Sequence, residues 1–157
     1  PLTLPGHSAL RRGRISLTGC TYLITFATHH RVPLFSDFRI AACACRAITD
    51  PRMWQRSTLL AWVLMPDHWH GLVQPGDGEP LSRLVGRLKC NSARRVRACL
   101  EPAPTVWAPA FHDRALRHEE SVTEAARYVV MNPVRAGLAP SPGRYPYWDA
   151  AWIANRR

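Results

Sequence analysis

Long apolar runs are missing from this 157-residue sequence, which nowhere approaches the roughly 18 consecutive apolar residues that a membrane-spanning helix needs. Its first residues, PLTLPGHSALRRGR, include arginines but lead into no apolar segment of the kind found in secretory signals. A phosphate-binding G-x-x-x-x-G-K-[ST] loop is also absent, which argues against a nucleotide cofactor. These absences predict a cytoplasmic protein with no membrane partner and no need of ATP.

Cysteine pairs of the kind that bind zinc are absent as well. The five cysteines are odd in number, and no two of them stand in a C-x-x-C arrangement. An odd count without paired spacing argues against both a disulfide framework and a zinc knuckle. We therefore expect free thiols in a reducing compartment.

Negative charge is scarce in this sequence. Lysine plus arginine number 21 against 11 acidic residues, the net charge is +10, and Lys89 is the sole lysine. The stretch RLKCNSARRVR, residues 87–97, contains no acidic residue. The alternative explanation is a solvated helix face, but such a face normally carries both positive and negative charges. Arginine binds phosphate oxygens bidentately and stacks on bases, so this balance favours a nucleic-acid partner. The residues predicted to contact DNA are Arg11, Arg12, Arg14, Lys89, Arg94, Arg95 and Arg97.

Apolar periodicity predicts the element order β-α-β-β-α-β-α. Apolar and β-branched runs predict strands at residues 20–28, 59–65 and 68–74, and a strand interrupted by proline at 106–116. Helical spacing predicts helices at 37–49, from residue 81 onwards, and at 121–131, where Ser121 and Glu124 form a capping box. Hairpin strands mixed with helices indicate an α+β protein with a ferredoxin-like antiparallel sheet and helices packed on one face.

The stretch MPDHWHGLV, residues 65–73, combines a tight turn with two histidines. Its proline suits a turn at residues 65–68, so His68 begins the returning strand of a hairpin. Side chains alternate along a strand, so His68 and His70 face one side of the sheet and Trp69 faces the other. Two imidazoles on one face can be adjacent ligands of one metal ion, although ordinary half-exposed strand residues are the alternative.

The last predicted helix carries two further polar side chains. Tyr128 and Asn132 are four residues apart, so both lie on one helix face. An amide oxygen such as that of Asn132 is a suitable third ligand for Mg²⁺ or Mn²⁺. The alternatives are that Tyr128 is a boundary aromatic residue and that Asn132 only ends the helix.

These segments also resemble a known family. MPDHWHGLV resembles the His-hydrophobic-His motif of the HUH endonuclease superfamily, and RYVVMNPVRAGL, residues 127–138, resembles the catalytic-tyrosine segment of single-tyrosine transposases. ATHHRVPLF, residues 27–35, and FHDRALR, residues 111–117, look like the same group. Over about residues 14–148 the sequence is similar to the REP-associated tyrosine transposases, which process repetitive extragenic palindromes in bacteria.

The resemblance implies an HUH-type fold and an enzyme that nicks and joins single-stranded or hairpin DNA from palindromic repeats. In such an enzyme Tyr128 would be the nucleophile of a covalent 5′-phosphotyrosine intermediate, and His68, His70 and Asn132 would bind Mg²⁺ or Mn²⁺. One catalytic domain would span residues 15–148, between a basic arm at 1–14 and a tail at 149–157. Both a monomer and a homodimer stay open.

A relaxase or replication initiator of the same superfamily is a close alternative, and two functions of other classes also compete with this one. In the first, His68, His70 and His112 activate a water in a metal-dependent hydrolase. In the second, the protein binds hairpin DNA and catalyses nothing. Under the transposase hypothesis His112, on a different predicted strand, has several open roles: it is a further ligand, supports the ligands of the ion, contacts DNA or is purely structural.

Overall fold

The computed structural model describes residues 19–117 and 121–151, which form one five-stranded sheet flanked by α-helices. The strands are β1 Tyr22–Ala27, β2 Ser57–Met65, β3 His68–Pro75, β4 His112–Ala115 and β5 Trp148–Ala150, and the helices are α1 Phe38–Ile48, α2 Leu81–Arg97, α3 Val122–Val130 and α4 Asn132–Arg135. The strands lie in the order β4-β1-β3-β2-β5, and each neighbouring pair is antiparallel. This α+β architecture confirms the fold class that the sequence predicts.

One face of the sheet is covered by α1 and α2. Alternation along β1 directs Ile24 and Phe26 to this face, and β3 adds Trp69. The Trp69 indole is fully buried and stacks on Phe26 with ring centroids 5.0 Å apart. It lies across Gly71, where a Cβ would overlap the ring, so glycine is required beside it. Trp69 therefore builds the core, as its predicted orientation implies.

The opposite face carries α3. Leu23, Val63 and Leu72 point to this side and pack against Ala126 and Val129. The prediction that the helices share one face holds for α1 and α2, but α3 lies on the other face. The physical reason is space, because α1 and α2 already fill the first face with a closed apolar layer. This placement brings α3 to the side of the sheet that carries the two histidines.

The end of α3 agrees with the helix predicted at residues 121–131. Helix α3 begins as the capping box predicts, because the Ser121 hydroxyl accepts a hydrogen bond from the Glu124 backbone N–H. It ends at Val130, but α4 follows almost directly. Pro133 lies in the first turn of α4, where a missing N–H removes no helical bond. Gly137, with a φ of 73°, ends this segment in the left-handed conformation that favours glycine.

The strand interrupted by proline is found as predicted, whereas the C-terminal segment adds a strand that the sequence analysis does not predict. The predicted broken strand at 106–116 is β4 together with an isolated bridge between Thr28 and Trp107. The C-terminal strand β5 pairs with β2 and begins at Trp148, so it crosses the boundary predicted between domain and tail. A strand of three residues is too short for its side-chain period to be recognised in a sequence.

Membrane and cysteine predictions can also be compared with the described residues. Within residues 19–117 and 121–151, no helix combines the length and apolar character needed to cross a membrane. All five cysteines carry free thiols, as predicted. The predicted DNA contacts Arg11, Arg12 and Arg14 lie outside the described residues.

Candidate active site

The two histidines of β3 lie on the face of the sheet that is covered in part by α3. Strand β3 pairs on one side with β1 and on the other with β2, so it is central in the sheet. His70 lies opposite Thr25 of β1 and Val63 of β2, and all three side chains share a face because paired residues point the same way. The alternation predicted from the sequence is therefore confirmed.

His68 is oriented by the residue that precedes it. Its Nδ1 lies 2.8 Å from the Asp67 Oδ1 atom, a distance at which the ring N–H donates to the carboxylate. The tight turn before β3 places this carboxylate, and the Thr28 backbone N–H fixes the turn by donating to the Asp67 carbonyl at 2.8 Å. With Nδ1 protonated, Nε2 of His68 keeps the lone pair that a metal ion requires.

His70 is oriented in the same way by a different partner. Its Nδ1 is hydrogen-bonded to the Thr25 hydroxyl, and its buried Nε2 has no hydrogen-bond partner among the described residues. Burial, with smaller electrostatic contributions from the nearby His68, Arg135 and Arg114, lowers the pKa of His70 to about 4. The ring is therefore neutral at neutral pH, as a metal ligand must be.

Tyr128 lies beside this pair. Helix α3 places its ring with the centroid 6.3 Å from that of His70, on the same face of the sheet. The side chain is 54% exposed, so solvent and a large substrate can reach it. The Arg135 guanidinium lies 3.9 Å from the ring centroid and also donates to the Tyr128 carbonyl at 2.7 Å. The phenol is thus accessible, close to an imidazole and held beside a fixed positive charge.

Asn132, the third predicted metal ligand, is the first residue of α4 and not part of α3. The chain at Met131 keeps right-handed helical dihedral angles, so Asn132 still follows Tyr128 by about one helical turn. Among the described residues, no three histidine, cysteine, aspartate or glutamate side chains form a metal-binding group. A site here would need an amide ligand such as Asn132 or ligands from water and substrate.

His112 occupies a register position close to the histidine pair but not beside it. Thr25 pairs with His70 on one side and with His112 on the other, so these three side chains form a row across β3, β1 and β4. Two strand spacings separate the two imidazoles, a distance of about 10 Å between backbones. His112 therefore does not complete a triad with His68 and His70, which weakens the hydrolase alternative.

Comparison with known proteins assigns the chain to a family. A family model described as IS200-like transposase matches residues 16–131. The chain belongs to the IS200-like transposase family. Transposases cut and join DNA, so this protein is placed in a class of DNA-processing enzymes.

Two solved structures of transposases share the fold. A REP-associated tyrosine transposase bound to a REP hairpin is 20% identical, with a TM-score of 0.69 over 92% of this chain and 84% of that one. A protein from Deinococcus radiodurans R1 assigned as a transposase is 22% identical, with a TM-score of 0.55 over 75% of this chain and 94% of that one. No curated protein sequence matches this IS200-like transposase.

The predicted DNA contacts of α2 lie on the side of the sheet opposite the histidines. Arg95 forms an ion pair with Asp50 at 3.3 Å, and Arg94 donates to the Asn91 side chain at 3.0 Å, whereas Arg97 is exposed. These arginines could still bind phosphates. A DNA that contacts both them and Tyr128 of this transposase would have to pass around an edge of the sheet.

Lys89 has a different environment from the other cations of α2. Its Nζ donates to the carbonyls of Ala108 at 2.7 Å and Ala110 at 2.8 Å, it lies 5.6 Å from the Phe26 ring centroid, and burial lowers its pKa. The ammonium group therefore fixes the segment before β4, and this use competes with the predicted phosphate contact.

Replacing Lys89 with methionine distinguishes these two roles. The variant should lose about 1.5–3 kcal/mol of unfolding free energy, because two carbonyls lose a charged hydrogen-bond donor. The salt dependence of DNA binding should stay unchanged. A phosphate contact would instead lower that slope by about one and leave the stability nearly intact. Urea denaturation and a salt titration of DNA affinity measure both quantities.

Three residues of this site were not singled out by the sequence analysis as functional. Asp67 directly precedes His68, so its position next to a predicted ligand was the available signal. Arg135 follows Tyr128 by two helical turns, a spacing that the break at Pro133 obscures. Thr25 carried no local signal, because only the register between β1 and β3 brings it to His70.

Proposed function

We propose that the protein is a metal-dependent endonuclease and strand transferase that acts on single-stranded or hairpin DNA through a covalent 5′-phosphotyrosine. The observation that carries this proposal is the position of the exposed Tyr128 ring, 6.3 Å from His70 between ring centroids. Membership of the IS200-like transposase family supports the reaction class.

In the proposed reaction the Tyr128 oxygen attacks a DNA phosphorus atom. A bond forms between this oxygen and phosphorus, the bond from phosphorus to the 3′ oxygen breaks, and the released 3′ hydroxyl takes up a proton while the phenol loses one. The covalent bond keeps the energy of the phosphodiester, so a 3′ hydroxyl of another DNA end can reverse the step. Arg135, beside the ring, holds positive charge close to where the phosphate must lie.

His68, His70 and Asn132 would hold Mg²⁺ or Mn²⁺. The unpartnered, buried Nε2 of His70 and the neutral state of that ring fit a ligand role. When bound, such an ion polarises the non-bridging phosphate oxygens and stabilises negative charge at phosphorus. Hydrogen bonds at Nδ1 of each imidazole, with Asp67 and with Thr25, orient the two rings for this purpose.

Asp67 gives a test of metal binding that does not depend on activity. Asp67→Asn should weaken Mn²⁺ binding about 10- to 100-fold, because the carboxylate that orients His68 is lost. The backbone bond from Thr28 to the Asp67 carbonyl remains, so the turn is preserved. Binding is measured by the paramagnetic signal of free Mn²⁺. Asp149→Asn, on β5, removes the same charge and should leave the affinity unchanged; equal affinity in both variants would contradict the role of Asp67.

The proposed substrate is a DNA hairpin with unpaired flanks. A REP-associated transposase of the same fold has been solved with a REP hairpin, and the net charge of +10 on this chain suits such a polyanion. The predicted contacts Arg94, Arg95 and Arg97 would bind phosphates of the paired stem on the α2 side. Because DNA is the substrate, we expect the protein to act in the cytoplasm of a bacterium.

The decisive experiment detects the covalent intermediate. Hairpin oligonucleotides with unpaired flanks are labelled at either the 5′ or the 3′ end and incubated with the protein and Mn²⁺, then denatured. A 5′-phosphotyrosine predicts that only the 3′-labelled fragment migrates with the protein, and that EDTA abolishes the band. Cleavage without any protein-linked label would favour the hydrolase alternative. DNA binding without cleavage under every metal condition would favour the non-catalytic alternative.

A further inference from the structure

A groove of about 320 Å³ runs along the outer edge of β1, next to the candidate active site. Strand β1 pairs with β4 as far as Thr25 and His112, and Ala27 is bonded to Ala108 by a backbone hydrogen bond of 2.9 Å. Residues 109–111 therefore have only Phe26 opposite them, and the chain bulges away from β1. The bulge opens the groove.

The groove continues directly into the histidine site. Thr25 forms part of its lining and is hydrogen-bonded to Nδ1 of His70. His112 lines one side on the same face of the sheet as His70, and Arg31 lines another. Arg31 lies 3.5 Å from Asp67, the residue that orients His68. Through Thr25 and Arg31 the groove therefore adjoins the histidine pair that lies beside Tyr128.

Both walls of the groove are held by bonds that do not involve its exposed side chains. Lys89 donates to the carbonyls of Ala108 and Ala110 and so fixes the bulge. On the other side the Thr28 hydroxyl donates to the Val32 carbonyl at 2.8 Å, which closes the turn that presents Arg31. The groove thus exists before any ligand binds.

The backbone of the Arg31 turn is strained. His30 and Arg31 have φ values of 53° and 56°, a left-handed conformation that is unfavourable for residues other than glycine. Two such residues in succession lower stability, so a sequence selected for stability alone would place glycine there. Strain of this kind concentrates at functional sites, where the side chain cannot be given up. The Arg31 side chain is 62% exposed, with its Nε 3.5 Å from Asp67, and it forms part of the groove lining.

We propose that this groove binds the unpaired nucleotide next to the scissile phosphate, with Arg31 on its phosphate and the His112 ring against its base. The inference rests on the proposed function, since it assumes that Tyr128 marks the scissile position. The volume is at the lower end of that of ligand pockets, which suits one nucleotide. No acidic side chain occurs among the described residues of the lining. Guanidinium groups bind phosphate, and aromatic rings stack on bases.

The test measures DNA affinity in EDTA, so that it does not depend on metal or on cleavage. A labelled hairpin carries five unpaired nucleotides on each side, and in a series of substrates one base at a time is removed. At a single flank position, base removal should weaken binding to the unaltered protein about tenfold. His112→Ala should cause a similar loss on the intact substrate and no further loss at that position. His112→Phe should restore the affinity, because a ring is again available for stacking.

Arg31→Gly tests the phosphate contact without loss of fold stability. Glycine suits the left-handed backbone, so thermal stability should not fall, whereas the salt dependence of binding should decrease by about one phosphate contact. Arg39→Ala, on α1, removes the same charge away from the groove and should leave the salt dependence unchanged. The proposal is overturned if base removal and His112→Ala act additively at every position, or if Arg31→Gly and Arg39→Ala behave alike.

Failure of this inference and failure of the proposed function give different results. If Tyr128 performs no chemistry, no covalent band forms with Mn²⁺, but the coupling between His112 and one flank base persists in EDTA. If the groove does not bind a nucleotide, the covalent band forms and the coupling is absent. A protein that binds no flanked hairpin at all would contradict both.

Discussion

Tyr128→Phe is expected to abolish the covalent protein–DNA product, with a decrease of at least about a thousandfold, while hairpin binding is retained. The substitution removes one oxygen atom and keeps the ring that lies near His70 and Arg135. Because the side chain is 54% exposed, no buried polar group loses its partner, and the unfolding free energy should change by less than about 0.5 kcal/mol. The measurement is the fraction of 3′-labelled DNA that migrates with denatured protein.

A second tyrosine provides the control for this result. Tyr147 lies on the other side of the molecule, with its ring centroid 6.3 Å from that of Phe38 at the start of α1. Tyr147→Phe removes the same atom and should form the covalent product at the normal rate. A product that persists in Tyr128→Phe would exclude this phenol as the nucleophile. Equal loss of DNA binding in Tyr128→Phe would show that the hydroxyl contributes to recognition and not specifically to bond formation.

The features of the site that depend on local periodicity could be predicted from the sequence. Strand alternation was sufficient to place His68 and His70 on one face and Trp69 on the other. Helical periodicity was sufficient to predict that Tyr128 lies next to the apolar stripe of its helix and not within it. In each case a period of two or of 3.6 residues determines the direction of the side chain before any long-range contact forms.

The features that depend on pairing between distant segments could not be predicted. The bond between Thr25 and His70 joins residues 45 positions apart and exists only in the observed strand register. The hydrogen bonds from Lys89 to two backbone carbonyls depend on a bulge that no turn motif in the sequence predicts. The positive charge of α2 was visible in the sequence. The face of the sheet on which α2 lies could not be predicted, because it depends on how the helices pack against the two faces. The direction of a side chain could therefore be predicted from the sequence more reliably than its hydrogen-bond partners.

A buried ion pair far from the site gives the second large prediction. Glu79, before α2, is fully buried, and Arg87 donates to its carboxylate at 2.6 Å while the Ser57 hydroxyl donates to the same group. Arg87 also donates to the Met53 carbonyl at 2.9 Å. The cluster therefore connects α2 to the start of β2 and to the turn before it.

Glu79→Ala should lower the unfolding free energy by about 3 kcal/mol, because removing one partner leaves the Arg87 charge partly buried and uncompensated. The lower end of the usual range applies, since the Arg87 side chain is 28% exposed. For a chain of this length the midpoint of thermal unfolding should fall by about 6–12 °C. Exposed Glu124 of α3 offers a matched control, because Glu124→Ala should cost less than about 1 kcal/mol.

The pH dependence of this loss has a definite sign. Burial alone would raise the pKa of Glu79, but hydrogen bonds from Arg87 and Ser57 outweigh it and hold the pKa below the ordinary glutamate value. A carboxyl whose pKa is lowered by folding contributes its full stabilisation above the unfolded pKa and loses it as pH falls through the folded pKa. The difference in stability between the unaltered protein and Glu79→Ala should therefore be constant near neutral pH and decrease in acid. If urea denaturation shows a difference that grows in acid, the carboxylate is not held in its charged form by these donors.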